Sequence, residues 1–227
     1  MTANKQHTSI VLDGPAGVGK STVAKELART LKFDYVDTGA MYRVATLLAM
    51  EEGIPLDVSQ QQKIMDLVAA KPFSFHLTPE GMKIFFGQRD ITEAVRSPQV
   101  SRNVSVVAAF PAVRQGLTNL QRQYAQEGDV VMDGRDLGTV VIPEATFKFF
   151  LTASLDTRAY RRFLELKAMG LKVDLDTLKS ELALRDRLDS SRQHAPLAKA
   201  DDAVVMDTSN STIDQVLTKI ISVINHP

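Results

Sequence analysis

Residues 14–21 read Gly-Pro-Ala-Gly-Val-Gly-Lys-Ser and fit the pattern G-x-x-x-x-G-K-[ST]. Gly14, Gly17 and Gly19 let backbone amides curl toward an anion with no Cβ in the way. Lys20 adds a cation that reaches β- and γ-phosphates, and Ser21 offers a hydroxyl to a divalent metal. The chemistry open to this set is the holding of a triphosphate chain. A second group is rich in arginine. Arg43 lies in "DTGAMYR", Arg114 in "FPAVR" with Ser105 nine residues before it, and Arg135 with Asp136 in "DGRD". Arg161 and Arg162 follow Arg158 by three and four residues, and Arg185, Asp189 and Arg192 are separated by four and three. On a helix such steps share a face. A charged helix face is more often a solvated stripe than a site. Here, however, several members sit beside the ends of expected strands, on the side of the phosphate loop.

The elements that must position these residues form a regular rhythm. Short, β-branched apolar runs at 9–14, 33–39, 129–134, 146–152 and 202–208 read as buried strands, four of them reaching Asp13, Asp37, Asp133 and Asp207. Helical patterns occupy 20–31, 40–52, 111–126, 156–169, 174–190 and 212–224. Strands alternating with helices imply an α/β fold with a parallel sheet, whose ligands bind beyond the carboxyl ends of the strands. One stretch departs from the rhythm. "FSFHL" (73–77) and "MKIFF" (82–86) flank "TPEG" as a hairpin would, so 54–105 reads as an inserted subdomain.

Composition narrows the classes. The 227 residues carry 27 Lys+Arg against 27 Asp+Glu, so any basic site is local and no nucleic-acid partner is indicated. There is no cysteine, which excludes disulfides and cysteine-ligated metal centres, and His7, His76, His194 and His226 lack metal-ligand spacing. No apolar run has the length of a membrane span, and "MTANKQHTSI" lacks a leader's apolar stretch, so a cytoplasmic protein is expected. The guanine-reading N-K-x-D and the D-x-x-G switch motif of GTP-dependent switches are both missing. A small-acceptor kinase is the better expectation, with a non-catalytic nucleotide sensor as the alternative of a different class.

Taken in order, "GPAGVGKST", "DTGAMYR", "FPAVR", "DGRDLGTVVIPEA", "RDRLDSSR" and "APLAKADDAVVMDTS" resemble the bacterial cytidylate kinases over nearly the whole chain. The resemblance implies a P-loop kinase with a five-stranded parallel sheet covered by helices. It implies a core of 1–53 and 106–227, a helical lid near 155–172, and 54–105 as a small α/β subdomain that binds the nucleoside monophosphate. It implies transfer of the γ-phosphoryl group of ATP, with Mg²⁺, to CMP or dCMP by a monomer. Gly14, Pro15, Ala16, Gly17, Val18, Gly19, Lys20, Ser21 and Thr22 would hold the donor, with Ser21 on the metal. Ser105, Arg114 and Asp136 would read cytosine, assisted by Thr38, while Arg43, Arg135 and Arg192 would grip the acceptor phosphate. Arg185 and Asp189 would bind the sugar hydroxyls, and Arg158, Arg161 and Arg162 would close over the donor phosphates. Arg96 is a further residue near the acceptor, and kinases for uridylate, thymidylate or shikimate are the neighbouring alternatives.

Overall fold

The structure, a computed structural model, describes residues 7–78 and 81–226. Its contacts divide the chain into two compact units, one of residues up to Tyr35 and from Tyr124 onward, the other Val36–Gln123.

The first unit is built on a five-stranded parallel sheet. Strand β1 (Ser9–Asp13) is central, and its apolar run is buried on both faces, as a covered parallel sheet requires. It runs parallel to β6 (Val130–Asp133) and β7 (Phe147–Thr152), and β7 runs parallel to β8 (Val204–Asp207). With β2 (Asp34–Asp37) at the far edge, the order is β2-β6-β1-β7-β8. All five strands occur where the apolar runs placed them. The last differs in burial: β8 is an edge strand, and Val204 and Val205 face solvent.

Helix α1 (Lys20–Leu31) leaves the phosphate loop and buries Val23, Ala24, Leu27 and Ala28, one stripe at helical spacing. After β6 the chain makes a single π-helical turn at Leu137–Val141 before entering β7. Helices α6 (Leu155–Ala168) and α7 (Leu175–Ser190) pack on each other. The chain's last helix, α8 (Ile213–Asn225), starts from a capping box made by Thr212 and Gln215.

The second unit gathers α2 (Thr38–Glu51), α3 (Gln61–Ala69), α4 (Pro98–Val107) and α5 (Pro111–Glu127, which runs past its boundary) with a three-stranded sheet. In that sheet β3 (Phe73–Thr78) and β4 (Gly81–Phe86) pair antiparallel, and β5 (Arg89–Asp90) adds a third strand. The hairpin read from the sequence is therefore present. Its turn at residues 79 and 80 lies outside the described residues, as do residues 1–6. The 54–105 stretch falls wholly within this unit. Helix α4 was not foreseen, although its signals were there: Ser97 caps it by accepting from the Val100 amide, and Pro98 occupies the first turn.

Candidate active site

Gly14, Gly17 and Gly19 adopt φ of 143°, 81° and 93°, which turn the loop back over the start of α1. Gly14 admits no other residue: a Cβ there would lie 2.0 Å from the Leu151 carbonyl oxygen on β7. The Lys20 ammonium is buried and donates to the Pro15 carbonyl at 2.7 Å, closing the loop on itself. Burial pushes its pKa well below the usual lysine range, and the positive charge of Arg135 and then Arg185 adds to the push. Asp133 and Asp13 work against it. Ser21 donates its hydroxyl to Asp133 Oδ2 at 2.8 Å, and Tyr35 donates to Asp133 Oδ1 at 2.6 Å. A hydroxyl beside a strand-final carboxylate is a hard-oxygen pair suited to a divalent cation of the Mg²⁺ kind. Among the described residues no cluster of three or more metal-binding side chains exists, so such an ion would draw its other oxygens from phosphate and water.

Two arginines of α6 hold the loop from outside. Arg158 is buried, donates to the carbonyls of Ala153 and Ala16 at 3.1 Å each, and pairs with Asp186 of α7 at 2.7 Å. Arg161 donates to the Thr208 carbonyl at 2.6 Å and to its hydroxyl at 3.2 Å. The buried Thr208 hydroxyl in turn donates to the Val18 carbonyl at 2.9 Å. Arg162 points elsewhere, into a half-exposed pair with Glu165 at 2.9 Å. Spacing on one helix face thus brings Arg158 and Arg161 to the loop and leaves Arg162 out of that contact.

On the same unit, Asp189 is completely buried and divides its two oxygens between two arginines. Arg135 Nε donates to one at 3.0 Å, and Arg192 donates to the other. Asp136 is buried beside Arg135, at the start of the π-turn. Arg135, Asp133, Asp13 and Arg185 thus act on Lys20, and Asp136 and Lys20 act in turn on Asp13, which joins these groups in one electrostatic cluster.

The remaining expected residues lie in the second unit. Thr38 is buried in the first turn of α2, which Asp37 caps by accepting from the Ala40 amide at 2.9 Å. Arg43 donates to Ser101 Oγ at 2.8 Å and the Val95 carbonyl at 3.1 Å. Ser105 is buried on α4. Arg114 is buried on α5, donates to the Ala108 carbonyl at 3.1 Å, and lies over the Tyr42 ring, 5.4 Å from its centroid. Arg96 is exposed and donates to the Met82 carbonyl at 3.4 Å.

Residues 10–226 match the family model described as cytidylate kinase. The chain is 50% identical over 209 residues to a cytidylate kinase of Streptococcus suis, a match covering 92% of each chain. The chain belongs to the cytidylate kinase family. Another relative named cytidylate kinase, from Leuconostoc mesenteroides, is 47% identical over 217 residues and 96% of each chain. In fold alone, this member of the cytidylate kinase family is similar to a shikimate kinase from Bacteroides thetaiotaomicron. That structure has a TM-score of 0.50 at 12% identity, with 96% of this chain and 98% of that one covered. An uncharacterised protein from Eubacterium ventriosum reaches a TM-score of 0.53 at 16% identity, with 98% and 100% covered.

Four residues of this cytidylate kinase family chain escaped the sequence reading as members of the site. Asp133 was seen only as a strand end, and its Ser21 partner is 112 residues away. Asp186 stands inside "RDRLDSSR", one step off the face that carries Arg185 and Asp189, and meets Arg158. Thr208 stood in "APLAKADDAVVMDTS" without a role of its own, and Tyr35 carried no motif. Their signal was proximity to strand ends, which spacing alone does not resolve.

Proposed function

We propose that this chain transfers the γ-phosphoryl group of ATP to CMP or dCMP, releasing ADP and CDP or dCDP. The observation that carries the reading is the field at Lys20. The lysine of the donor loop is buried within reach of the charges of Arg135 and Arg185, residues that the resemblance gives to the acceptor. Cations so concentrated in a buried cluster are stabilised when phosphate arrives between them.

The chain's own residues then do the following. The amides of 14–22 and Lys20 hold the donor's phosphates, and Arg158 and Arg161 keep the loop carbonyls of Ala16 and Val18 turned outward. Arg135 and Arg192, set side by side on Asp189, receive the acceptor phosphate, a ligand the resemblance gives to Arg43 as well. The resemblance gives the base to Ser105, Arg114 and Asp136, all three of them buried. The nucleophile is an oxygen of the acceptor phosphate, already largely dianionic at pH 7 with a second pKa near 6, so no side chain need remove a proton. Ser21 and Asp133 would hold Mg²⁺, which when bound neutralises charge on the β- and γ-oxygens. Cytoplasmic location and a monomeric state complete the proposal.

The test is an ADP-release assay over CMP, dCMP, UMP, dTMP and shikimate with ATP. CMP and dCMP should turn over fastest. A preference for another acceptor redirects the assignment, and ATP binding without acceptor-dependent ADP release leaves a nucleotide sensor. Lys20→Ala should lower kcat on the order of 10³-fold with the fold intact by circular dichroism. Near-unchanged turnover would overturn the role of Lys20.

A further inference from the structure

One buried carboxylate has no place in that chemistry. Asp13 ends β1 and immediately precedes Gly14, and its side chain reaches the turn that follows β6. Its Oδ1 accepts from the Leu137 amide at 3.0 Å and its Oδ2 from the Gly138 amide at 2.8 Å. These amides open the π-helical turn that follows "DGRD", and the Asp136 carbonyl accepts from both Val140 and Val141 inside that turn. Single π-turns are rare and cluster at functional sites, because the widened turn re-aims the residues beside it. Here the residues beside it are Arg135 and Asp136. The carboxylate is 4% exposed and burial raises its pKa, so it is held against a desolvation cost by the two amides it satisfies.

We propose that Asp13 is a positioning residue. By clamping the Leu137 and Gly138 amides it sets the π-turn, and through the turn it fixes the projection of Asp136 and Arg135 toward the acceptor nucleotide. The consequence is a direct coupling between the root of the donor loop and the acceptor-reading turn, made by one side chain with no substrate contact of its own. The inference rests on the reading of Asp136 and Arg135 as acceptor residues.

Asp13→Asn is the informative variant. An asparagine of the same shape can accept with one oxygen, while its NH₂ faces the other amide as a second donor, so the clamp loses one side. With the folded variant, KM for CMP should rise about tenfold and the preference for CMP over UMP should fall. KM for ATP should change less than about threefold. In a cycle with Asp136→Ala, the double variant should lose no more of the preference for CMP over UMP than Asp136→Ala alone, because base choice runs through Asp136. A parallel rise in KM for ATP with CMP selectivity kept, or additive effects in the cycle, would overturn the proposal. If Asp136→Ala itself leaves base selectivity unchanged, the acceptor reading fails. The clamp is then judged by whether the Leu137 and Gly138 amide resonances move in Asp13→Asn. Should that variant not fold, hydrogen exchange on the unaltered protein decides. Leu137 and Gly138 amides exchanging as fast as exposed loop amides would sink the clamp.

Discussion

At the residue scale, the site is governed by carboxylates that hold cations in place. Asp189 is the clearest: one buried side chain sets the spacing of Arg135 and Arg192, and its removal would leave both guanidiniums without that anchor. Asp189→Asn should therefore cost about 10²–10³-fold in kcat/KM for CMP, since truncating a hydrogen-bonded buried charge pair costs roughly 2–5 kcal/mol. Steady-state kinetics with CMP varied at saturating ATP measure it. Asp13 supplies a pH signature. Its pKa in the fold is raised to about 6 from 3.8, chiefly by burial. The native state thus keeps a proton that the unfolded chain has lost. The group favours the fold fully below about pH 4, and this contribution is lost as pH rises through 6, on the order of 3 kcal/mol in all. Urea denaturation of the wild type against Asp13→Asn should show the gap between them changing from pH 4 to 7 and flat above. Parallel curves would contradict it. The sequence made Lys20, Ser21 and the arginines legible because phosphate chemistry demands those types at those spacings. It could not show that Asp189 serves Arg135, because that partner comes from a turn 54 residues away.

At the scale of elements, the strand–loop–helix join packs closely against β7. Any side chain at Gly14 would meet the backbone of β7 at the buried Leu151. Gly14→Ala should destabilise the fold by roughly 3 kcal/mol or more, read as a lowered urea midpoint, because neither the contact nor the φ can relax cheaply. Strands β1, β6 and β7 were readable because buried parallel strands leave continuous apolar runs. Edge strand β8 has the same run for a different reason, and only pairing order tells the two apart. Helix α3 was not read at all, since only Ile64 and Val68 mark its buried face. The π-turn was equally invisible, as nothing in "LGTVV" distinguishes i+5 from i+4 bonding. The tie from Arg161 through Thr208 to Val18 joins α6, the segment after β8 and the phosphate loop. Thr208→Val keeps the volume and removes the hydroxyl. It should raise KM for ATP several-fold while leaving KM for CMP within twofold.

At the scale of the whole molecule, charge is balanced in sum and segregated in place: equal numbers of acids and bases, with a knot of cations around Lys20. Phosphate binding should relieve that knot. ATP with Mg²⁺ at 100 times its Kd should stabilise the protein by about 2.7 kcal/mol, roughly 5–10 °C in Tm for a chain of this length. Thermal melts with and without nucleotide, and with the metal chelated, test this.

The sheet order also has a consequence for biosynthesis. Ser9 of β1 aligns with Val130 of β6 and Ile10 with Phe147 of β7, so the central strand is synthesised well over a hundred residues ahead of either neighbour. Through that interval "SIVLD" is an apolar ribbon without the strands it pairs with. The nascent chain must shelter that ribbon, or have it sheltered by a chaperone, until Phe147–Thr152 emerges.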